Sequence, residues 1–288
     1  MDDNTIKRLN AINREFYATV ADEFDTTRGR AWAGWERLVD YLSPSPPTGG
    51  SKPPASEKSL LKQAASTTAK HGDLDSFTPP RIRGGAGVGS TFSVLDVGCG
   101  NGRLGVFLRD HLPNLRYHGM DNSPALLDHA RAALPEGRFE ERDIVEHPPE
   151  SSAYDLVALF GVLHHIPGAD RRVELLRALA DRVAPGGLLV FAAWRFYEFE
   201  RFRDRIAAWD TLPDAATLQI EPGDYLLDWR RGERALRYCH YVDDAEHARL
   251  IAVTGLAPIA DYRADGFTGT VNRYTVLKNV KLDEKSNG

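Results

Sequence analysis

The sequence predicts an α/β fold: a doubly wound, mostly parallel seven-stranded sheet of the Rossmann-like type, with helices at its N-terminus. Three observations support this prediction. Strand and helix patterns alternate from residue 92 onward, the predicted strands are nearly continuous in apolar residues, and a glycine-rich loop follows the first strand in the stretch VLDVGCGNGRL. Continuous apolarity is typical of strands that are buried on both faces, as in a parallel sheet.

Two amphipathic helices are expected ahead of the sheet, because apolar residues recur there at helical spacing. The first stretch carries Ile6, Leu9, Ile12, Phe16 and Val20, and the second carries Trp32, Trp35, Leu38, Val39 and Leu42. We assign residues 1–43 to an N-terminal helical cap. Residues 44–90 are rich in Pro, Gly and Ser and poor in large apolar residues, so we predict a disordered insertion. Residues 91–280 then form the main domain, with a substrate-facing insert at about 195–242.

The seven strands are predicted in order along the main domain. They lie in the stretches FSVLDV, LRYHGMD, GRFEERDI, YDLVALF, LLVFAAW, LAPIADYRA and NRYTVLK, of which the last two are expected to form a hairpin at the sheet edge. The helices lie in GRLGVFLRDH, in a stretch with Ser123 as N-cap and Pro124 at the first helical position, in ADRRVELLRALADRV and in DDAEHARLIAVTG. YEFERFRDRIAAW is expected to form one further amphipathic helix.

Composition narrows the functional classes. The net charge of −5 argues against a chain whose whole surface binds nucleic acid, although local basic patches are compatible with it. The two cysteines, Cys99 and Cys239, stand in unrelated contexts, so neither a disulfide framework nor a metal site is predicted. The polar N-terminus does not resemble a signal peptide, and no apolar run approaches the ~18–20 residues that span a bilayer. We therefore expect a cytoplasmic protein without a membrane partner.

The glycine loop is expected to approach a ligand closely, because ligands of this fold bind at the carboxyl ends of the strands. Gly98, Gly100 and Gly102 allow tight turns without interference from a Cβ. A phosphate-binding loop of NTPases would need Lys-Ser/Thr after the last glycine, and a dinucleotide loop favours G-x-G-x-x-G. S-adenosylmethionine (SAM) instead needs backbone donors for its α-carboxylate and an acceptor for its α-ammonium, which Asp96 can provide.

The next three strands end in residues that complete such a site. Asp121 closes the second strand and can accept hydrogen bonds from ribose hydroxyls, which alone would fit NAD as well. Asp143, after the third strand, can accept from an adenine amino group, and Ile144 can flank the ring. The fourth strand leads into LFGVLHHIP, a loop that begins around Phe160 and would face the methionine half.

Over roughly residues 93–278 the chain resembles the class I SAM-dependent methyltransferases. The resemblance rests on VLDVGCGNG, GMDNS, RDI, YDLVALFGVLHHI and LADRVAPGGLLVF. It implies SAM as cofactor, with the glycine loop at the methionine part, the acid after the second strand at ribose and the acid after the third at adenine. By position these residues are Asp96, Gly98, Gly100, Asp121 and Asp143.

Flanking stretches resemble a narrower group, the tRNA methyltransferases that esterify a carboxymethyl group on wobble uridine. These stretches are YATVADEFDTTRGRAW, VLHHIPGADRRVELLRAL and GDYLLDW…RYCHYV…NRYTVL. The group's S-x-T-R and R-Y-Y-H motifs correspond here to Thr26-Thr27-Arg28 and Arg237-Tyr238-Cys239-His240, with Cys in place of Tyr. The resemblance implies tRNA modification, with tRNA and a small zinc-binding activator subunit as partners.

A carboxylate acceptor is already ionised at neutral pH and needs no general base, so catalysis would consist mostly of placement. Arg28 and Arg237 are our candidates to hold the carboxylate. His164, in the loop after the fourth strand, could orient the acceptor or act as base toward a hydroxyl. Candidates to stack an extruded base are Trp194, Trp229, Tyr225 and Tyr238.

Three further functions stay open at this point. The chain could methylate a carboxylate or hydroxyl of a small molecule, with the N-terminal helices as a lid. It could be an NAD-dependent oxidoreductase, against which the G-x-G-x-G spacing argues. It could also bind SAM without catalysis.

Overall fold

The computed structural model describes residues 1–26, 30–42, 91–147, 149, 152–230 and 235–281. The predicted insertion at 44–90 and the candidate Arg28 lie outside these residues. Two helices precede the sheet, α1 over Asp3–Thr26 and α2 over Ala33–Leu42. Among the described helices, none combines the length and the apolarity needed to cross a membrane.

The main sheet has seven strands in the spatial order β3-β2-β1-β4-β5-β10-β9, which confirms the predicted fold class. The strands from β1 to β5 run parallel, and β10 is antiparallel to both β5 and β9. Their bounds are β1 Phe92–Val97, β2 Leu115–Asp121, β3 Arg138–Glu141, β4 Tyr154–Leu159, β5 Val183–Trp194, β9 Ala257–Ala264 and β10 Asn272–Lys278.

Helices cover both faces of this sheet. They are α3 Arg103–Arg109, α4 Pro124–Ala133, α5 Ala169–Ala180 and α7 Asp244–Ala252. Successive residues of β1 point to opposite faces: Val94 joins the apolar cluster beneath α2 and α3, whereas Leu95 joins the cluster beneath α5 and α7. Ser123 accepts a hydrogen bond from the Leu126 amide as the N-cap of α4, as predicted.

The prediction of one helix over YEFERFRDRIAAW is wrong. A 3₁₀ turn at Phe196–Glu198 leads into the single-turn helix α6, Glu200–Arg203, and then into the short strand β6, Ile206–Ala207. Ile206 pairs with Leu227 across a second sheet, so pairing with a distant strand outweighs the local helical periodicity.

That second sheet has three antiparallel strands in the order β6-β7-β8, with β7 at Asp224–Trp229 and β8 at Ala235–His240. The apolar face of α1 packs on it: Leu9 and Ile12 contact the cluster of Leu226 and Tyr238. Because α1 is held there, its polar face lies over the carboxyl ends of the main sheet.

Candidate active site

A crevice lies at the carboxyl ends of β1, β2, β3 and β4, and α1 and α2 contribute side chains to its wall. The seven residues that the sequence proposes for cofactor binding all line it: Asp96, Gly98, Gly100, Asp121, Asp143, Ile144 and Phe160. Parallel strands bring their carboxyl ends to one edge of a sheet, which is why residues so far apart in sequence meet here. Their individual roles stay predictions.

The glycine loop needs its glycines for two different reasons. A Cβ on Gly98 would lie 2.0 Å from Val162 Cγ2, so packing against the loop after β4 requires glycine there. Gly100 has a φ of +53° and no neighbouring atom within 4 Å of where its Cβ would be, so its open side is available for close approach by a ligand. The loop is tied to the end of β2, because the Gly98 and Cys99 amides donate to the Met120 carbonyl at 2.7 and 2.9 Å.

Asp121 joins this loop to the start of α4. Its Oδ2 accepts from the Gly100 amide at 2.8 Å, and its Oδ1 accepts from the Ser123 amide at 2.9 Å. Burial raises the pKa of Asp121 above its ordinary value, although these amide hydrogen bonds oppose that rise. A carboxylate oxygen accepts more than one hydrogen bond, so Asp121 keeps capacity to accept from a diol.

Asp96 is buried at the floor of the crevice. The Tyr117 hydroxyl donates to its Oδ2 at 2.5 Å. Burial raises the pKa of Asp96 to about 7, although the Tyr117 hydrogen bond opposes that rise. An ammonium group beside Asp96 would favour its ionised form, so the site suits a cationic ligand.

Asp143 is already engaged by the N-terminal helix. Its Oδ1 accepts from the Val145 amide at 3.0 Å, and its Oδ2 accepts from Asn10 Nδ2 at 2.9 Å and from Arg14 at 3.3 Å. The contact with Asn10 spans 133 positions of the chain, so no local sequence signal could reveal it. It fastens α1 across the end of the crevice where adenine is expected.

The structure distinguishes the two adjacent histidines. Of the described residues, those that line the crevice include His165 but not the predicted candidate His164. His164 packs against Trp194, with ring centroids 5.1 Å apart. The two histidines lie on the 3₁₀ turn Leu163–His165, where successive side chains point about 120° apart. The turn therefore directs the side chains of His164 and His165 to different sides, and that of His165 faces the crevice.

Of the two arginines predicted to hold the acceptor, Arg28 lies outside the described residues, and Arg237 is not among the described residues that line the crevice. The Arg237 guanidinium lies 4.7 Å from the Trp194 ring centroid and 5.4 Å from that of Phe16. Arg103 lines the crevice instead and lies over Trp32 and Trp35 at 5.8 and 5.6 Å. Its position directly after the glycine loop is the sequence signal that could have identified it.

Most of the aromatic residues that are predicted to stack a base pack against other side chains of the protein. Tyr238 is fully buried, and Trp229 is 8% exposed against Phe16 at a centroid distance of 5.7 Å. Tyr225 stacks on Tyr197 at 4.9 Å. Among the described Phe, Tyr and Trp residues, those that do line the crevice lie on α1, on α2 or directly before it, and directly after β4: Tyr17, Trp32, Trp35 and Phe160.

Comparison with known proteins supports a methyltransferase domain. Residues 95–189 match a family model described as a methyltransferase domain. Curated relatives include the trans-aconitate 2-methyltransferases of Variovorax paradoxus, 38% identical over 96 residues, and of Enterobacter sp. strain 638, 43% identical over 74 residues. These matches cover 33% and 26% of this chain. The matched stretches cover 36% and 29% of the lengths of these two relatives, so the chain spans about a third of the length of the relatives it matches.

Solved structures share the fold at low sequence identity. A SAM-dependent methyltransferase from Methanosarcina mazei aligns with a TM-score of 0.53 at 15% identity, covering 67% of this chain and 94% of that one. The complex of DhpI with S-adenosylhomocysteine (SAH) aligns with a TM-score of 0.52 at 15% identity, covering 93% of this chain and 96% of that one. The chain therefore shares the Rossmann-like fold of these structures, as predicted.

Proposed function

We propose that this chain, whose residues 95–189 match a methyltransferase domain, uses SAM to methylate an oxygen of a small-molecule carboxylate. The observation that carries the proposal is the single crevice that gathers the glycine loop and the three strand-end acids, Asp96, Asp121 and Asp143. The matched stretch contains all of these residues, so sequence similarity and geometry support the same site.

The crevice fits the chemical groups of SAM. Asp96 would face the α-ammonium, the open side of Gly100 would admit close approach of the methionine part, and Asp121 would accept from the ribose hydroxyls. Asp143 and Ile144 would bind the adenine, and Phe160 would supply an apolar wall. When bound, SAM provides a methyl group on a sulfonium, whose departure leaves a neutral thioether. The protein therefore needs no general acid for the leaving group.

The acceptor class is supported by the relatives, which are named for methylating trans-aconitate. The side chains that line the crevice are compatible with a small anionic acceptor. Trp32 and Trp35 narrow it on the side of α2, and Arg103 provides a permanent positive charge beside them. An ionised carboxylate held in line with the methyl group would react by placement alone.

Methylation of tRNA, with tRNA and a small zinc-binding activator subunit as partners, stays a prediction. Fewer observations support it than support a small-molecule carboxylate as the acceptor. Tyr238 and Trp229 are buried, and Arg195, at the start of the predicted substrate-facing insert, donates to Glu198 and to the Val242 carbonyl at 2.6 and 2.8 Å. Arg28, which that prediction places at the acceptor, lies outside the described residues.

The proposal is tested by incubating the purified chain with SAM and a panel of di- and tricarboxylates that includes trans-aconitate. Mass spectrometry should detect a methyl ester together with SAH. In a parallel reaction, bulk tRNA is offered as the acceptor. Calorimetry compares the binding of SAM with that of NADH. Methyl esters on tRNA and on no small acid would reverse the assignment of substrate. Binding of NADH without SAM would overturn the enzyme class.

A further inference from the structure

We propose that Tyr17 and His165 form a proton relay at the acceptor side of the crevice, which lets the site methylate a hydroxyl group as well as a carboxylate. The inference rests on the proposed SAM-dependent methyl transfer. It extends that function to acceptors that must lose a proton, such as phenols or activated alcohols.

The geometry of the pair assigns its protons. His165 Nδ1 lies 3.0 Å from the Tyr238 carbonyl oxygen, which can only accept, so Nδ1 carries a proton. In the neutral ring, Nε2 is then an acceptor, and the Tyr17 hydroxyl 2.9 Å away donates to it. Tyr17 therefore directs its proton toward His165, and its oxygen can accept a hydrogen bond from an acceptor hydroxyl.

The pair is held in place by contacts on both sides. Asn13, one turn before Tyr17 on α1, accepts from the Tyr238 amide at 2.9 Å and donates to the His165 carbonyl at 3.4 Å. The rings of Tyr17 and His165 meet edge to face at 5.5 Å. Both residues line the crevice, as do Gly161 and Val162 in the loop after β4.

Other titratable groups near His165 are less suited to be the base. Its neighbour His164, at a ring-centroid distance of 4.1 Å, lies outside the described lining of the crevice. Cys239 is close to both histidines, but burial raises the pKa of its thiol to about 12. Arg237 lies over Trp194, which contacts His164, and is a permanent cation.

The proposed step conserves atoms and charge. The acceptor oxygen forms a bond to the methyl carbon, and the carbon–sulfur bond breaks with its electron pair going to sulfur. The acceptor's proton passes to the Tyr17 oxygen while the proton of Tyr17 passes to His165 Nε2. Positive charge thus moves from the sulfonium to the imidazolium, so the total charge of the crevice is unchanged. His165 then releases the proton to solvent.

The same electrostatics predict a readout that does not depend on turnover. A sulfonium near His165 disfavours protonation of the ring, whereas the neutral thioether of SAH does not. In NMR titrations the midpoint for His165 should therefore be higher in the SAH complex than in the SAM complex. The ring should also show the Nδ1-protonated tautomer at high pH. Equal midpoints in the two complexes would overturn the relay.

Turnover provides the second test. The wild-type chain is offered SAM with phenol and catechol, and in parallel with benzoate and trans-aconitate. We expect methyl ethers as well as methyl esters. Tyr17→Phe and His165→Gln should each lower the rate of ether formation by about 100-fold or more and lower the rate of ester formation by a much smaller factor, because an ionised carboxylate needs no base.

Tyr197→Phe is the matched control. Tyr197 is 39% exposed and stacks on Tyr225, away from the described lining of the crevice. It should leave both rates unchanged. Ester formation without any ether, or an equal loss of both activities in Tyr17→Phe, would overturn the relay and leave the proposed function intact. Absence of both products together with absence of SAM binding would refute the proposed function as well.

Discussion

The hydroxyl of Tyr117 donates a hydrogen bond of 2.5 Å to Asp96 beneath the crevice, and both residues are buried. Burial raises the pKa of Asp96 to about 7, so its charge changes near neutral pH. Tyr117 opposes that rise and stabilises the ionised carboxylate. A phenol on one strand therefore adjusts the charge of the acid on its neighbour.

This relationship predicts how SAM affinity varies with pH. Only ionised Asp96 attracts the α-ammonium, so the affinity should fall as the pH drops through about 7. Tyr117→Phe removes a hydrogen bond to the charged form, which raises the pKa of Asp96 further and moves the loss of affinity to higher pH. At neutral pH we expect binding about tenfold weaker, measured by calorimetry. Methylthioadenosine lacks the ammonium and serves as control ligand; an equal shift in its binding would contradict this role for Asp96.

Gly100 and Gly255 allow a controlled test of the glycine loop. Their φ angles are +53° and +65°, and neither has an atom within 4 Å of where a Cβ would lie. Alanine at either position should therefore cost a similar ~1 kcal/mol of unfolding free energy from backbone strain. Only Gly100→Ala should also weaken SAM binding, because its Cβ would enter the crevice. Unchanged SAM affinity in Gly100→Ala would mean that no ligand approaches the loop there.

Asp121 is expected to contribute more to SAM affinity than to the chemical step. Asp121→Ala removes the acceptor proposed for ribose and also the partner of the Gly100 amide. We expect a loss of about 100-fold in SAM affinity, equivalent to about 2.7 kcal/mol. Asp128→Ala, an exposed acid on α4 paired with Arg131, is the control. A similar loss in both variants would indicate a general electrostatic effect.

His247 should make folding sensitive to mild acid. Burial, with Arg273 and Arg195 nearby, lowers its pKa to about 3, so the folded protein keeps it neutral where the unfolded chain binds a proton. The unfolding free energy should therefore fall as the pH drops from about 6.5 toward 3, by up to about 1.4 kcal/mol per pH unit from this group. His247→Gln removes this titration and can keep a hydrogen bond to Thr275, 2.8 Å from Nε2 in the native protein. Denaturant melts at several pH values should give a shallower slope for the variant; identical slopes would contradict the argument.

The fold followed from local patterns to a large extent. The apolar stretches of β1, β2, β4 and β5 indicate buried strands, and turn residues such as Ser123 and Pro124 mark where helices begin. The second sheet was missed because β6 is only two residues long, β7 and β8 mix polar, aromatic and apolar residues, and the pairing depends on distant contacts such as Ile206 with Leu227.

The sequence by itself determined which acidic residues form the floor of the crevice. Asp96, Asp121 and Asp143 each follow a recognisable strand, and a parallel sheet necessarily brings such strand ends to one edge. Only the tertiary structure decided what lies over that floor: His165 lines the crevice instead of His164, and α1 is held there by the hydrogen bond from Asn10 to Asp143. These choices depend on side-chain direction and on contacts between distant segments, which local periodicity does not encode.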